Sequence, residues 1–144
     1  MLIYLDNCCF NRPFDDQSQM RVRLETEAKL AIQAEVRNGT VDLAWSYILD
    51  FENTANPNEE RRESIERWRQ FATVDTTESE AILDLARKLH QAGMKKKDSL
   101  HLATAISLQC DIFFTTDDGI LKKRRMIGGI RVLNAVEYYA NTDD

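Results

Sequence analysis

Leu2-Ile3-Tyr4-Leu5-Asp6 is the stretch of sequence that decides the fold. A run of apolar strand formers ends at an acid, and the acid is followed by Asn7. An apolar run of this length fits a buried strand or a buried helix equally well, but an Asp-Asn pair is poor in strands and common in turns. The pattern therefore predicts a short strand, buried on both faces, that presents Asp6 at its carboxyl end.

A second stretch, Ile112-Phe113-Phe114-Thr115-Thr116, repeats this pattern and is followed by two acids, Asp117 and Asp118. Open α/β sheets bind their ligands outside the carboxyl ends of the strands. Two buried strands that each deliver a carboxylate to the same edge therefore indicate a site for a divalent metal ion.

Helical and strand patterns alternate along the rest of the chain. Helical spacing of apolar residues covers 19–37, 46–55, 59–72, 77–92, 98–109, 118–125 and a stretch ending near residue 140. Strand patterns cover 2–5, 40–45, 111–116 and 130–133, and segment 7–18 is predicted to be a polar loop. Such alternation implies parallel strands with helices on both faces. The predicted fold class is α/β: a three-layer α/β/α sandwich around a mainly parallel sheet of four to five strands, in one domain over residues 1–144.

Composition narrows the class of protein. With 43% hydrophobic and 30% charged residues, the chain is predicted to be globular. No apolar run approaches the roughly 20 residues needed to span a bilayer, so no membrane partner is expected. The cysteines show no metal-type spacing, which favours a reducing cytoplasm. A net charge of −5 excludes binding of nucleic acid by bulk charge alone, but it leaves room for local basic patches.

The helix predicted after the second strand carries two acids, Asp50 and Glu52. Two residues on a helix are separated by about 200° around its axis, so both side chains cannot point inwards. Glu52 shares the face of Ile48 and Leu49, whereas Asp50 shares a face with polar residues that looks solvated. The spacing favours Glu52 as the inward acid, and an exposed Glu at a helix edge is the alternative.

The acids in the C-terminal half each have a structural alternative. Asp98 opens a largely apolar helix, where a capping role is the simplest interpretation, although its face continues towards the sheet through His101. Asp117 follows a strand directly and Asp118 begins a helix, so one of them could be a cap. His101 is interpreted as a hydrogen-bonded structural histidine rather than a catalytic base.

Taken in order, these acids and their surroundings resemble the PIN-domain family of metal-dependent ribonucleases, which includes the VapC-type toxins. The matching segments cover essentially the whole chain; they are IYLDNCCF, SYILDFE, KKDSLHLATAI, FFTTDDGIL and GIRVLNAVEYY, of which DSLHLATA is the most specific. The family's acids fall on Asp6, Glu52, Asp98 and Asp117, with Asp118 as a fifth contributor or a stand-in for Asp117. The chain departs from the family at Asn7, where Thr or Ser is usual.

The resemblance implies hydrolysis of RNA phosphodiester bonds with Mg²⁺ or Mn²⁺ held by those carboxylates. The implied partners are RNA, an antitoxin protein and a second copy of the chain. The residues expected to contact the substrate are Asn7, Arg12, Ser46, Lys97 and Thr115. Two basic runs, Lys95-Lys96-Lys97 and Lys122-Lys123-Arg124-Arg125, either hold RNA or are solvated helix ends.

Two other functions fit parts of the pattern. A PIN-like module without activity could bind RNA or protein, although retention of all four acids argues against that interpretation. A Mg²⁺-dependent phosphatase would use a nucleophilic Asp after the first strand, but such enzymes typically carry a second acid two residues on, where this chain has Cys8.

Overall fold

The computed structural model describes residues 1–142 and is built on a five-stranded parallel sheet. The strands are β1 (Leu2–Leu5), β2 (Asp42–Ala44), β3 (Ala72–Val74), β4 (Ile112–Phe114) and β5 (Arg131–Leu133). They lie in the order β3-β2-β1-β4-β5, and every neighbouring pair is parallel. The predicted α/β/α fold class is confirmed; residues 143 and 144 of the predicted domain lie outside the described part of the chain.

Helices flank the sheet in the described residues. They are α1 (Asn7–Asn11), α2 (Met20–Arg37), α3 (Tyr47–Thr54), α4 (Glu59–Arg67), α5 (Glu80–Gln91), α6 (Lys96–Ser107), α7 (Asp118–Lys122) and α8 (Ala135–Thr142). Short 3-10 turns cover Arg12–Phe14, Trp68–Phe71 and Arg124–Met126. Within residues 1–142, none of the helices has the length and apolarity needed to cross a membrane.

The two central strands fix where the acids lie. Leu5 of β1 pairs with Phe114 of β4, and the rings of Tyr4 and Phe113 stack with centroids 5.3 Å apart. These side chains are almost fully buried, and each large apolar side chain removed from water contributes roughly 1.5–3 kcal/mol to folding. The backbone N–H of Asp6 continues the ladder by donating to the carbonyl of Phe114 at 3.0 Å. Asp6 and the residues after β4 therefore leave the sheet at the same edge.

Segment 7–18, predicted to be a loop, instead begins with the short helix α1. The Asp6 carboxylate caps this helix by accepting from the backbone N–H of Asn7, and Cys9 and Phe10 pack into the core. A five-residue helix is too short to show a helical period in the sequence, which is why the pattern did not reveal it.

Two differences from the predicted element boundaries bear on the sheet and the site. Ala72, predicted as the last residue of a helix, instead begins the edge strand β3, which was not predicted and which is held in the sheet because the backbone N–H of Trp45 pairs with the carbonyl of Val74 at 2.9 Å. Helix α6 begins at Lys96 rather than Asp98, with Lys95 at the N-cap. Asp98 therefore lies inside the first turn and is not the cap.

Candidate active site

Asp6, Glu52, Asp98 and Asp117 line one pocket of about 210 Å³ at the carboxyl ends of the strands. The remaining lining residues are Asn7, Cys8, Lys97 and His101. Larger depressions exist on the surface, such as one of about 720 Å³ along α4, but that one is lined by residues of a single helix and the turn after it. The smaller pocket gathers acids from four separate elements.

Asp6 is held from two directions. Its Oδ1 accepts from the backbone N–H of Asn7 at 2.8 Å, and its Oδ2 accepts from the Thr115 hydroxyl at 2.8 Å. The Cys8 thiol adds a longer contact to Oδ2 at 3.4 Å. Thr115 is fully buried, and its hydroxyl donates to Asp6. Thr115 therefore lies behind the pocket and does not line its surface.

Glu52 lies on the pocket side of α3, and its Oε1 is hydrogen-bonded to His101 Nε2. Burial acts to raise the pKa of Glu52, but hydrogen bonding to His101 and the charges of His101 and Lys97 hold that pKa below its ordinary value. Glu52 is therefore a carboxylate at neutral pH.

Asp50, the other acid of α3, points elsewhere. Its Oδ1 accepts from the indole N–H of Trp45 at 2.9 Å, and its Oδ2 lies 3.5 Å from Arg69. The Asp50 face is not simply solvated as expected, because Asn53 on that face is buried. Asp50 thus anchors a core tryptophan, and only Glu52 of the two acids reaches the pocket.

Asp117 and Asp118 have different surroundings although they are adjacent. Asp117 caps α7, with Oδ1 accepting from the backbone N–H groups of Gly119 at 2.7 Å and Ile120 at 3.4 Å. Asp118 forms a two-pronged pair with Arg21 at 2.8 and 2.9 Å and is 58% exposed. The structure does not bring Asp118 to the pocket.

The five residues expected to contact substrate are spread over different surroundings. Asn7 and Lys97 line the pocket. The Arg12 guanidinium is occupied by the carboxylates of Glu25 and Asp15 and lies outside the pocket. Ser46 is fully buried, like Thr115. Its hydroxyl caps α3 by accepting from the backbone N–H of Leu49, and it is also hydrogen-bonded to the Tyr4 hydroxyl.

Sequence reasoning missed Tyr4 and gave His101 only a general structural role. Tyr4 is fully buried, and its hydroxyl lies 2.5 Å from His101 Nδ1. Burial acts to lower the pKa of His101, but the hydrogen bond to Glu52 and the charges of Asp6, Glu52 and Asp98 raise that pKa above its ordinary value. A buried tyrosine hydroxyl usually has a partner, so a tyrosine in a strand buried on both faces was a signal available in the sequence.

The donor chemistry of the pocket suits a hard divalent cation. Its acids offer only oxygen, the ligand that Mg²⁺ and Mn²⁺ prefer. The Oδ1 atom of Asn7 is buried without a hydrogen-bond partner, which leaves one more acceptor unused. As arranged, however, residues 1–142 contain no group of three or more His, Cys, Asp or Glu side chains that could hold a metal ion. The pocket therefore offers ligands of the right chemistry, although the described residues do not form a ready-made group of three metal ligands.

The surroundings of Asp98 disfavour its ionised form. Burial, together with the charges of Asp117 and Asp6, raises the pKa of Asp98 from its ordinary value to about 6. A carboxyl group with a raised folded-state pKa destabilises the folded protein once it ionises, so its cost appears between about pH 4 and pH 6 and stays at higher pH.

Asp98→Asn removes that ionisation. In EDTA, the variant is expected to melt at a higher temperature than wild type at about pH 8, and this advantage is expected to shrink towards zero near pH 4. Thermal unfolding across the pH range measures the effect, with Asp42→Asn as the matched control, because Asp42 is an exposed acid at the opposite end of the strands. A variant that is less stable than wild type at pH 8 would contradict the inferred cost of ionising Asp98, which comes from burial first and then from the charges of Asp117 and Asp6.

A parallel α/β/α fold that gathers carboxylates at its carboxyl edge defines a class of proteins whose ligand site is acidic and suited to cations. The chain belongs to the PIN-domain family, whose model matches residues 3–125. The resemblance inferred from the sequence is therefore confirmed. PIN domains are generally nucleases, and those nucleases generally use divalent metal ions.

Solved structures with the same fold cover nearly the whole chain. FitAcB from Neisseria gonorrhoeae has a TM-score of 0.59 at 18% identity, over 92% of this chain and 97% of that chain. VapBC2 from Rickettsia felis, bound to a DNA fragment from its promoter, has a TM-score of 0.57 at 14% identity, over 93% and 98%. VapBC-1 from nontypeable Haemophilus influenzae has a TM-score of 0.58 at 16% identity, over 94% and 98%. No curated protein matches the sequence.

Proposed function

We propose that the protein is a metal-dependent endoribonuclease and the toxin half of a toxin–antitoxin pair. The observation that carries this proposal is the pocket shared by Asp6, Glu52, Asp98 and Asp117 in a chain of the PIN family. The similarity to VapBC and FitAcB structures supports the toxin assignment and an antitoxin protein as partner. A homodimer is proposed on the same resemblance.

The four acids would hold Mg²⁺ or Mn²⁺. When bound, such an ion supplies Lewis-acid chemistry: a more acidic attacking water and charge neutralisation at the phosphoryl group. The protein's own residues prepare that site. Thr115 and the backbone N–H of Asn7 fix the direction of Asp6, and the Lys97 ammonium brings a positive charge to the pocket, where an RNA phosphate needs one.

The two basic runs support RNA as the substrate. Lys123 Nζ donates to the carbonyl of Gly93 at 2.5 Å, so the run after α7 lies against the loop that leads into Lys95-Lys96-Lys97. The latter run occupies the N-terminus of α6, where the helix dipole disfavours cations. The helix dipole therefore does not explain why lysines occur at this end of α6, whereas binding of RNA phosphate beside the pocket would explain it.

Cleavage of a labelled single-stranded RNA tests the proposal. Wild type is expected to cut the RNA with Mn²⁺ or Mg²⁺ and to stop in EDTA. Asp98→Asn is expected to lose most activity, while the control Asp42→Asn keeps it. Binding of RNA without cleavage under either ion would instead favour the second candidate, an inactive PIN-like binding module.

A cytoplasmic location is part of the same proposal. Cys8, Cys9 and Cys110 are all free thiols, which suits a reducing compartment. Detection of the native protein in the cytoplasmic fraction, together with RNA and an antitoxin, is the expected result.

A further inference from the structure

Tyr4, Ser46, His101 and Glu52 form one hydrogen-bonded chain that joins three parts of the fold. The Tyr4 hydroxyl, in β1, lies 2.7 Å from Ser46 Oγ and 2.5 Å from His101 Nδ1. The other ring nitrogen, Nε2, is bonded to Glu52 Oε1. Tyr4, Ser46 and His101 are each at most 1% exposed. The hydrogen-bonded chain therefore runs from the core to a carboxylate on the surface of the pocket.

The direction of these hydrogen bonds follows from their donors. The backbone N–H of Leu49 donates to Ser46 Oγ, so the Ser46 hydroxyl hydrogen is free to point at Tyr4. The Tyr4 hydrogen then points at His101 Nδ1, and Nε2 carries the hydrogen that faces Glu52. Every polar group in the chain has a partner in this arrangement. If Nδ1 also carried a hydrogen, Nε2–H would still donate to the Glu52 carboxylate.

We propose that Tyr4 and His101 are positioning residues that hold Glu52 at the edge of the pocket. This inference rests on the proposed function, because Glu52 is one of the acids assigned to the metal ion. Groups that orient a metal ligand typically change metal affinity or activity 10–100-fold when they are replaced. If these positions only had to fill space in the core, Phe and Leu could occupy them. Buried polar groups are tolerated only when each one has a hydrogen-bond partner, so the polar residues here indicate a specific role.

Two substitutions separate positioning from packing. His101→Gln keeps an N–H donor close to the position of Nε2, where it can reach Glu52. The shorter His101→Asn has its amide at the position of Nδ1 and has no donor that reaches Glu52. Calorimetric binding of Mn²⁺ alone is expected to weaken about 10–100-fold in His101→Asn and to stay within a few-fold of wild type in His101→Gln. Thermal unfolding in EDTA shows whether either variant fails to fold. Equal losses in both variants, or no loss in either, would overturn the proposal.

The ring nitrogens of His101 provide a second readout that needs no metal ion. The chain has only two histidines, His90 and His101. His90 Nδ1 faces the carbonyl of Met94 at 2.8 Å, so that nitrogen must carry the hydrogen and serves as the internal reference. Nitrogen NMR in EDTA at alkaline pH is expected to show the opposite tautomer, Nε2–H, for His101. Tyr4→Phe is expected to keep Nε2–H, because the Glu52 carboxylate still accepts from it, but to shift the Nδ1 resonance, since Nδ1 loses the hydrogen bond donated by Tyr4.

The outcomes distinguish this inference from the proposed function. A wild type with Nε2–H whose Nδ1 resonance shifts in Tyr4→Phe, but without RNA cleavage, would support the hydrogen-bonded positioning chain and end the nuclease proposal. A His101 ring with its hydrogen on Nδ1, or an Nδ1 resonance that Tyr4→Phe leaves unchanged, would overturn the positioning role even in an active nuclease.

Discussion

Glu52→Gln is expected to reduce RNA cleavage by about 10²–10³-fold, the loss typical of removing one preorganised electrostatic group from an active site. The substitution removes the negative charge that faces the pocket and replaces one carboxylate oxygen by an N–H₂ donor. Steady-state cleavage rates at saturating Mn²⁺ measure the loss. The melting temperature is expected to change little, because Gln keeps the size of Glu52 and an oxygen that can accept from His101 Nε2.

Asp50→Asn is the matched control for Glu52→Gln. Both residues lie in α3, and Asn at position 50 keeps an oxygen that can accept from the Trp45 indole at 2.9 Å. Most cleavage activity is therefore expected to remain. Equal losses in two folded variants would mean that activity depends on the helix as a whole rather than on the acid that faces the pocket.

The strands and most of the acids were predictable because their signals are local. β1 and β4 are apolar runs that stop at polar residues, and that pattern alone indicated the common edge where Asp6 and Asp117 leave the sheet. The positions of Glu52 and Asp50 followed from helical geometry. The edge strand β3 was missed because its three residues gain their structure by pairing with β2, which no local pattern reveals.

The site details that were missed depend on long-range partners. Tyr4 and His101 lie 97 residues apart in sequence, and no local sequence feature near either residue indicates that they are in contact. Asp98 was predicted to open its helix, with capping as its structural alternative, but α6 begins two residues earlier at Lys96, after an N-cap residue, Lys95, that provides no side-chain cap. Arg12 was expected to reach substrate because it follows Asp6 in the predicted loop; its partner, Glu25, looks like an ordinary polar residue of an amphipathic helix and gave no sign of the pairing.

Glu25 is in fact a buried acid at the centre of a charged cluster. Its side chain is 1% exposed and accepts from Arg12 Nε at 2.9 Å, from Arg21 Nε at 3.4 Å and from Asn134 Nδ2 at 2.5 Å. These partners belong to the turn after α1, to α2 itself and to the segment between β5 and α8. Glu25 thus ties α2 to the turn that follows α1 and to the segment before α8, where Asn134 lies 109 residues away in sequence.

Glu25→Ala is expected to destabilise the protein by about 3–5 kcal/mol, the usual cost of removing one partner of a buried ion pair. The large cost arises because the Arg12 guanidinium, with a side chain 21% exposed, would keep its charge and lose its best-buried partner. Denaturant unfolding measures the free energy, and a fall in melting temperature on the order of 10 °C is expected. Glu27→Ala is the control, since Glu27 is an exposed acid of the same helix and surface substitutions usually stay within about 0.5 kcal/mol.

A double-mutant cycle locates the source of that energy. Arg12→Met combined with Glu25→Leu removes both charges and fills their space, and such replacements of buried pairs are often neutral or stabilising. The double variant is therefore expected to be more stable than Glu25→Leu alone, with a coupling energy above about 1 kcal/mol. If Glu25→Ala costs no more than Glu27→Ala, the buried cluster does not stabilise the fold. If the cost is large but the cycle shows no coupling, the stabilisation comes from Arg21 and Asn134, and the Arg12 guanidinium would again be available to an incoming phosphate.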